Sequence, residues 1–267
     1  RLHGLPTKTN MSVDYLMQSA DTLSSLPNEE DWPFIAVLRN PDSYFECKYE
    51  VLSAPTTVSS ICINRKRSLT PPIVQPKVIL PVQVCDRVYV SDCRAIRDVE
   101  RLKELGITHV LNVGGREAAK VDPSKYAEVG IAYHMIEAED EEDYPILQSH
   151  LTEAREFIAS ARQAGGSCVV HCVGGISRSC CIVTAEKMLT ERVTLLEAVA
   201  HCHRQRGHEY LWNSSFQKQL VTLARHEGLL GPKPGDPGSV VTKPSPPYPW
   251  ARFSSLFGPE NETMVVE

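Results

Sequence analysis

A cysteine and an arginine stand six residues apart in a glycine-containing loop, and these residue types together can capture a phosphate group. The stretch reads His171-Cys172-Val173-Gly174-Gly175-Ile176-Ser177-Arg178-Ser179. Two adjacent glycines let the backbone curl until successive N–H groups face one centre, and a helix that begins here adds the positive end of its dipole. A planar guanidinium can bind two phosphate oxygens at once. Residues 172–178, called the phosphate loop below, are therefore predicted to bind phosphate.

Cys172, at the base of the phosphate loop, is predicted to be a nucleophile. The loop amides, the helix dipole and the guanidinium of Arg178 all favour the thiolate over the neutral thiol. Ser179 follows the arginine, and its hydroxyl group can donate a hydrogen bond to the sulfur when a sulfur–phosphorus bond breaks. The backbone and side chains expected to bind the phosphate belong to Val173, Gly174, Gly175, Ile176, Ser177 and Arg178.

A run of carboxylates provides candidates for acid–base chemistry. A thiolate that attacks phosphorus needs an acid for the leaving oxygen and later a base for water, and one carboxylate can serve as both. Residues 137–143, called the acid loop below, have the sequence EAEDEED and directly follow a predicted strand. The carboxyl edge of an open α/β sheet is where ligands bind. The position of the run leaves the choice among its carboxylates open.

Strands and helices alternate around these loops. Between residues 84 and 230 short apolar segments alternate with amphipathic ones, which predicts an α/β fold with a central, mainly parallel, twisted sheet flanked by helices. Strands are expected at 87–90, 109–113, 132–136 and 167–170, and helices are expected after the first, third and fourth of them. A helical face is predicted for Leu147, Leu151, Ala154, Ile158 and Ala161. Thr194 and Glu197 fit a capping box for a later helix.

The two ends of the chain differ from this central part. Residues 1–83 are predicted to be a partly ordered extension with a helix at 12–23 and strands at 34–38 and 44–52. Residues 231–267 are rich in Pro, Gly and Ser, a composition that cannot offset its own ordering entropy, and are predicted to be a disordered tail. The proline-rich stretch at 244–249 is interpreted as a spacer, with a polyproline-II ligand as the alternative.

The signature resembles the Cys-x5-Arg motif of the protein tyrosine phosphatase superfamily, and residues 84–230 resemble the dual specificity phosphatase family. Further landmarks are Val88-Tyr89-Val90, the segment 106–113, Glu139-Asp140, Asn213, Phe216 and Gln219-Leu220. The resemblance implies that Asp140, which precedes Cys172 by 32 residues, is the general acid. Asp143 is the second choice. This chain departs from the family pattern at Ser91 (usually Gly), Gly174 (usually Ala) and Trp212 (usually Pro).

The resemblance implies hydrolysis of phosphotyrosine and phosphoserine or phosphothreonine in proteins through a phosphocysteine, with no metal or organic cofactor. The alternatives are a catalytically weak scaffold that binds phosphoproteins and a phosphatase for a nonprotein phosphate ester. The segment Arg65-Lys66-Arg67, followed by apolar residues, resembles the docking peptides of mitogen-activated kinases, although a solvated linker is the favoured interpretation. Cys168, Cys180 and Cys181 could be redox partners of Cys172, but buried packing is favoured for each.

Composition limits the other classes of function. The 267 residues are 42% hydrophobic and 23% charged, which is typical of a globular protein. A net charge of −5 gives no general attraction to nucleic acid or anionic membrane. No apolar run is long enough to span a bilayer, and no secretory signal is present. Nine irregularly spaced cysteines indicate reduced thiols. We therefore expect a soluble protein of the cytoplasm or nucleus.

Overall fold

A computed structural model describes residues 29–41, 44–45, 78–207 and 209–240. The strands are β1 (Val82–Cys85), β2 (Val88–Ser91), β3 (Ile107–Asn112), β4 (Ala132–Met135) and β5 (Ser167–His171). The helices are α1 (Trp32–Arg39), α2 (Val99–Glu104), α3 (Gly115–Ala118), α4 (Pro123–Glu128), α5 (Ile146–Gln163), α6 (Arg178–Glu191), α7 (Leu195–Arg206) and α8 (Ser214–His226). Short 3₁₀ turns, Glu29–Asp31 and Ala95–Arg97, precede α1 and α2.

The described strands form one sheet in the order β1-β2-β5-β3-β4. Only β1 is antiparallel to its neighbour, and the other pairings are parallel. Cys168, Val169 and Val170 of β5 have no exposed surface, as expected for a parallel strand covered on both faces. The predicted α/β fold with a mainly parallel sheet is confirmed. Because β5 lies at the centre of the sheet, the residue after it, Cys172, emerges at the middle of the carboxyl edge.

The predicted core helices are present with slightly different ends. The predicted apolar face of α5 is buried from Leu147 to Ala161. The capping box at α7 is complete, since the Thr194 hydroxyl accepts from the Glu197 amide and the Glu197 carboxylate accepts from the Thr194 amide. Helix α6 carries the first residue after the phosphate loop and is buried along most of its length. These helices cover the sheet and fix the segments that leave its carboxyl edge.

Strand β1 and helix α1 were not predicted correctly. β1 pairs with β2 across a tight turn in which Arg87 has a φ of 55°. The strand predicted at 34–38 is wrong, because these residues lie in α1. Five consecutive apolar residues fit a buried helix as well as a strand, and Pro33 in the first turn is the helix signal that decides.

Helix α1 packs on α8 through an apolar face and one ion pair. Phe34, Ile35, Val37 and Leu38 are buried in the main core. Asp31, directly before α1, forms an ion pair with Arg225 of α8. The predicted helix at 12–23 lies outside the described residues, as does the predicted strand at 44–52 beyond Tyr44 and Phe45, which lie in a turn and a bend. The predicted tail is described to residue 240 and forms turns there. None of the described helices combines the length and apolarity needed to cross a membrane.

Candidate active site

The phosphate loop connects the end of β5 to the first turn of α6. Cys172 is 1% exposed, and Arg178 is the first residue of α6. Gly175 has a φ of +65°, and a side-chain carbon there would lie only 2.5 Å from the Ser91 carbonyl oxygen. Glycine is therefore required at this position both for the left-handed backbone and for the close approach of β2. The approach of β2 closes one side of the loop.

Arg206, at the end of α7, holds two carbonyl groups of the loop from the outside. Its Nε donates to the Gly175 oxygen at 2.8 Å and its Nη2 donates to the Gly174 oxygen at 3.1 Å. The Arg206 side chain and its bond to Gly175 are buried, so water does not compete for that bond. Carbonyl groups that point outward leave their peptide N–H groups pointing toward the centre of the loop.

Backbone hydrogen bonds restrain the rest of the loop. The Leu211 amide donates to the Ile176 oxygen at 2.8 Å, and the Cys93 amide donates to the Val173 oxygen at 3.1 Å. Because these donors come from two different parts of the chain, the curl of the loop is fixed on both sides. The loop is therefore preorganised for an anion before any ligand arrives.

Two polar groups lie within hydrogen-bond distance of the sulfur of Cys172. The Gly175 amide lies 3.2 Å from Sγ with its N–H directed at the sulfur. Ser179 Oγ lies 3.3 Å from the same atom. An N–H directed at the sulfur, with a hydroxyl group beside it, can stabilise negative charge that develops there when a bond to the sulfur breaks.

Arg178 links the phosphate loop to the acid loop. Its Nη1 donates to the Ala138 carbonyl oxygen at 3.1 Å and lies 3.7 Å from a Glu117 carboxylate oxygen. Its Nε lies 3.4 Å from Asp140 Oδ2 but is not aligned for a hydrogen bond. The buried Nε has no hydrogen-bond partner among the described residues. The guanidinium is 7% exposed and retains a donor for a bound oxyanion.

The acid-loop carboxylates of Asp140 and Glu142 are exposed and are bound by side chains at the start of α8. Asn213 Nδ2 donates to Asp140 Oδ1 at 3.2 Å and to the Glu141 carbonyl oxygen at 3.1 Å. Ser214 Oγ donates to a Glu142 carboxylate oxygen at 3.2 Å. Asp143 has no hydrogen bond or ion pair with any residue that the structure describes. The geometry thus brings Asp140 to Arg178 and leaves Asp143 in solvent.

His171 and the neighbouring cysteines are buried, uncharged groups. Burial lowers the pKa of His171 to about 4, so its ring is neutral at pH 7. Its Nδ1 lies 3.3 Å from the Cys172 carbonyl oxygen, within hydrogen-bond distance of the phosphate loop. Burial raises the pKa of the Cys168, Cys180 and Cys181 thiols. They therefore remain protonated, and the favoured interpretation as packing residues fits this environment.

Sequence reasoning did not identify Arg206 or Glu117. Arg206 lies 31 residues after the carbonyl group that it binds, and a basic residue in the last turn of a helix is ordinary. Glu117 lies in the short helix α3, which was not predicted. Asn213 was noted only as a family landmark, and its contact with Asp140 depends on the docking of α8 against the acid loop. Within the described residues, no group of three His, Cys, Asp or Glu side chains could hold a metal ion.

Comparison with known proteins shows which protein family this chain belongs to. The model of the dual specificity phosphatase catalytic domain matches residues 88–226, which is more than half of the 267 residues. The chain belongs to the dual specificity phosphatase family. The match starts at β2 and ends with α8, so it includes the phosphate loop, the acid loop and Arg206.

Individual relatives from the same family match about half of the chain. Dual specificity protein phosphatase 26 of cattle (Bos taurus) is 36% identical over 144 residues, which are 54% of this chain and 66% of the relative. Human dual specificity protein phosphatase 13B is 33% identical over 147 residues, which are 55% of this chain and 73% of the relative. A crystal structure of human DUSP28 has 26% sequence identity to this chain and a TM-score of 0.47. The match covers 54% of this chain and 92% of the DUSP28 chain.

Proposed function

We propose that this chain is a cysteine-dependent protein phosphatase that hydrolyses phosphotyrosine and phosphoserine or phosphothreonine through a phosphocysteine intermediate. The observation that carries the proposal is the position of Cys172 Sγ. It is buried at the base of a preorganised amide loop, 3.2 Å from the Gly175 N–H, and the Arg178 guanidinium of the same loop reaches Asp140. Family membership supports the same reaction.

The first step transfers the phosphoryl group to sulfur. The Cys172 thiolate attacks phosphorus, a sulfur–phosphorus bond forms, and the bond from phosphorus to the ester oxygen breaks. The Asp140 carboxyl group gives its proton to the leaving oxygen. The loop amides and Arg178 stabilise the charge on the three phosphoryl oxygens. The products are the dephosphorylated hydroxyl group and phosphocysteine.

The second step releases phosphate. Water attacks the phosphorus of phosphocysteine, and the Asp140 carboxylate accepts a proton from that water. The sulfur leaves as a thiolate, which the Ser179 hydroxyl stabilises from 3.3 Å. The enzyme returns to its starting state with Asp140 protonated, and inorganic phosphate departs.

The proposal includes the substrate class. The acid loop places exposed carboxylates beside the site, and these disfavour highly anionic substrates such as phosphoinositide headgroups and RNA 5′ ends. Phosphoproteins are therefore the proposed substrates, and the reduced compartments of cytoplasm or nucleus are the proposed location. Docking to a mitogen-activated kinase through residues 65–67 remains a prediction, because that segment lies outside the described residues.

Turnover of para-nitrophenyl phosphate by the full chain tests the reaction. The wild type is expected to hydrolyse it, and Cys172→Ser is expected to reduce the rate to that of a protein-free control. Cys85→Ala, which removes a buried thiol from β1, is the matched control and is expected to stay active. Equal rates for the wild type and Cys172→Ser would overturn the proposed mechanism.

Parallel assays test the substrate class. The wild type is expected to release phosphate from phosphotyrosine and phosphothreonine peptides faster than from phosphoinositides or RNA 5′ ends. Release from the lipid or the RNA alone would contradict the protein-substrate proposal while leaving the cysteine mechanism intact.

A further inference from the structure

Trp212 is an exposed aromatic side chain beside the active site. Its residue is 65% exposed, against 46% for Trp32, the other tryptophan in the described residues. Trp32 has a partner within the chain, because the Arg39 guanidinium carbon lies 5.6 Å from its ring centre. Within the part of the chain that the structure describes, no ring or cation packs on Trp212. Large exposed aromatic side chains near a site commonly contact ligands.

The backbone on both sides of Trp212 is fixed. Leu211 is buried, has a φ of 54°, and donates its N–H to the Ile176 oxygen of the phosphate loop at 2.8 Å. Its own oxygen accepts from Gln217 Nε2 at 2.6 Å. Asn213 caps α8 and donates to Asp140. Trp212 therefore stands between an anchor on the phosphate loop and an anchor on the acid loop.

The charge next to Trp212 is negative. The two residues that follow it bind carboxylate side chains. Asn213 binds the carboxylate of Asp140, and Ser214 binds the carboxylate of Glu142. These carboxylates are exposed, whereas Arg178, the cation of the phosphate loop, is buried. An indole face attracts cations, and a planar guanidinium can stack on it while it contacts a carboxylate. An exposed indole beside exposed carboxylates suits a basic side chain better than a neutral or acidic one.

We propose that Trp212 is a specificity-determining residue that binds a basic side chain, arginine in particular, next to the phosphorylated residue of a protein substrate. The proposal rests on the proposed function, because it concerns the substrate of the same site. The phosphoryl group enters the phosphate loop, and the neighbouring basic residue stacks on the exposed indole beside the acid loop. No bond is made or broken at Trp212, so its effect is on substrate binding.

Matched phosphopeptides test the proposal in the full chain. One phosphotyrosine peptide carries arginine on both sides of the phosphorylated residue, a second carries alanine, and a third carries glutamate. The wild type is expected to favour the arginine peptide over the alanine peptide about two- to fivefold in kcat/KM, the range of one exposed cation–π contact. The glutamate peptide is expected to be the poorest substrate.

Variants then assign the preference to the indole. Trp212→Ala is expected to remove the difference between the arginine and alanine peptides, mainly through a higher KM for the arginine peptide. Trp212→Phe, which retains an aromatic face, is expected to restore part of it. Turnover of para-nitrophenyl phosphate, which has no flanking residue, is expected to be unchanged in both variants. Loss of that turnover in Trp212→Ala would assign Trp212 a positioning role instead and overturn the proposal.

Failure of this inference can be separated from failure of the proposed function. If the wild type hydrolyses all three peptides equally, Trp212 does not select basic substrates, although the enzyme is active. If the wild type hydrolyses none, binding of the same peptides to the unmutated protein decides the inference. Tighter binding of the arginine peptide that disappears in Trp212→Ala would support it, and equal binding would contradict it.

Discussion

The phosphate loop and the acid loop meet at the buried guanidinium of Arg178, but they are held in different ways. The phosphate loop is buried at Cys172, Gly175 and Arg178, and its carbonyl groups are bound by Arg206 and by backbone amides of two other segments. The acid loop is exposed, and its carboxylates are bound by the side chains of Asn213 and Ser214. Hydrogen bonds to backbone carbonyl groups fix the phosphate loop, whereas the acid-loop carboxylates of Asp140 and Glu142 are held by a few exposed side-chain contacts.

This difference in how the two loops are held fits the catalytic role proposed for each. A loop that stabilises phosphoryl charge is most effective when its dipoles need no reorganisation, which requires many restraints. A loop that carries a general acid must give access to substrate and then bring a carboxyl group to the leaving oxygen. Changes to the phosphate-loop supports should therefore weaken all anion binding, whereas changes to the acid loop should affect chiefly leaving-group chemistry.

The largest effect is expected from Asp140→Asn in the acid loop. Hydrolysis of a phosphothreonine peptide, whose leaving group needs a proton, should slow about 10²- to 10⁴-fold. Affinity for vanadate, which depends on the phosphate loop, should change little. Steady-state kinetics with the two ligands measure both.

Asp143→Asn is the matched control for that substitution, because Asp143 lies in the same loop without a contact to the described residues. It is expected to keep wild-type rates. If Asp143→Asn is the variant that loses activity, the general acid is Asp143 and the assignment of Asp140 is wrong.

An intermediate effect is expected from Arg206→Met, which removes both hydrogen bonds to the loop carbonyl groups. Charge-assisted bonds of this kind contribute about 1.5–3 kcal/mol, so kcat/KM should fall about 10- to 100-fold for good and poor leaving groups alike. Vanadate should bind more weakly by a similar factor, and this readout separates positioning of the loop from a general loss of stability.

Arg204→Met, an exposed change on the same helix, is the control for Arg206. It should leave both vanadate affinity and turnover unchanged. Unaltered vanadate binding in folded Arg206→Met would show that the loop keeps its shape without this support, and the contrast between the two loops would then be wrong.

The smallest effect is expected from Asn213→Ser. Serine can still cap α8, but it cannot reach Asp140 and Glu141 as the asparagine amide does. Loss of these exposed hydrogen bonds should slow phosphothreonine hydrolysis about 2- to 10-fold. Vanadate affinity should be unchanged. A parallel loss of vanadate affinity would show that Asn213 supports the phosphate loop too.

The order of elements and the phosphate loop could be predicted because their signals are local. Two glycines, a cysteine and an arginine between an apolar strand and a helix determine the loop within nine residues. The choice of Asp140 over Asp143 came from the family resemblance, since neighbouring carboxylates look alike in a sequence.

The features that sequence reasoning missed depend on contacts between distant residues. Arg206 binds the loop only because α7 packs against α6 in the folded chain. The apolar run of α1 fits a strand as well as a helix, and α1 packs on α8 through buried apolar side chains and the Asp31–Arg225 ion pair. In the sequence Trp212 is only a departure from the family pattern, and its exposure is visible only in the folded chain.

The central claim is that Cys172 carries the phosphoryl group during turnover. The most direct test is to mix the full chain with a phosphopeptide labelled with ³²P, stop the reaction in denaturant, and locate the label by peptide mapping and mass spectrometry. The account predicts label on the peptide that contains Cys172, and none in Cys172→Ser. Turnover with label on another residue, or with no covalent label at any time during the reaction, would contradict it.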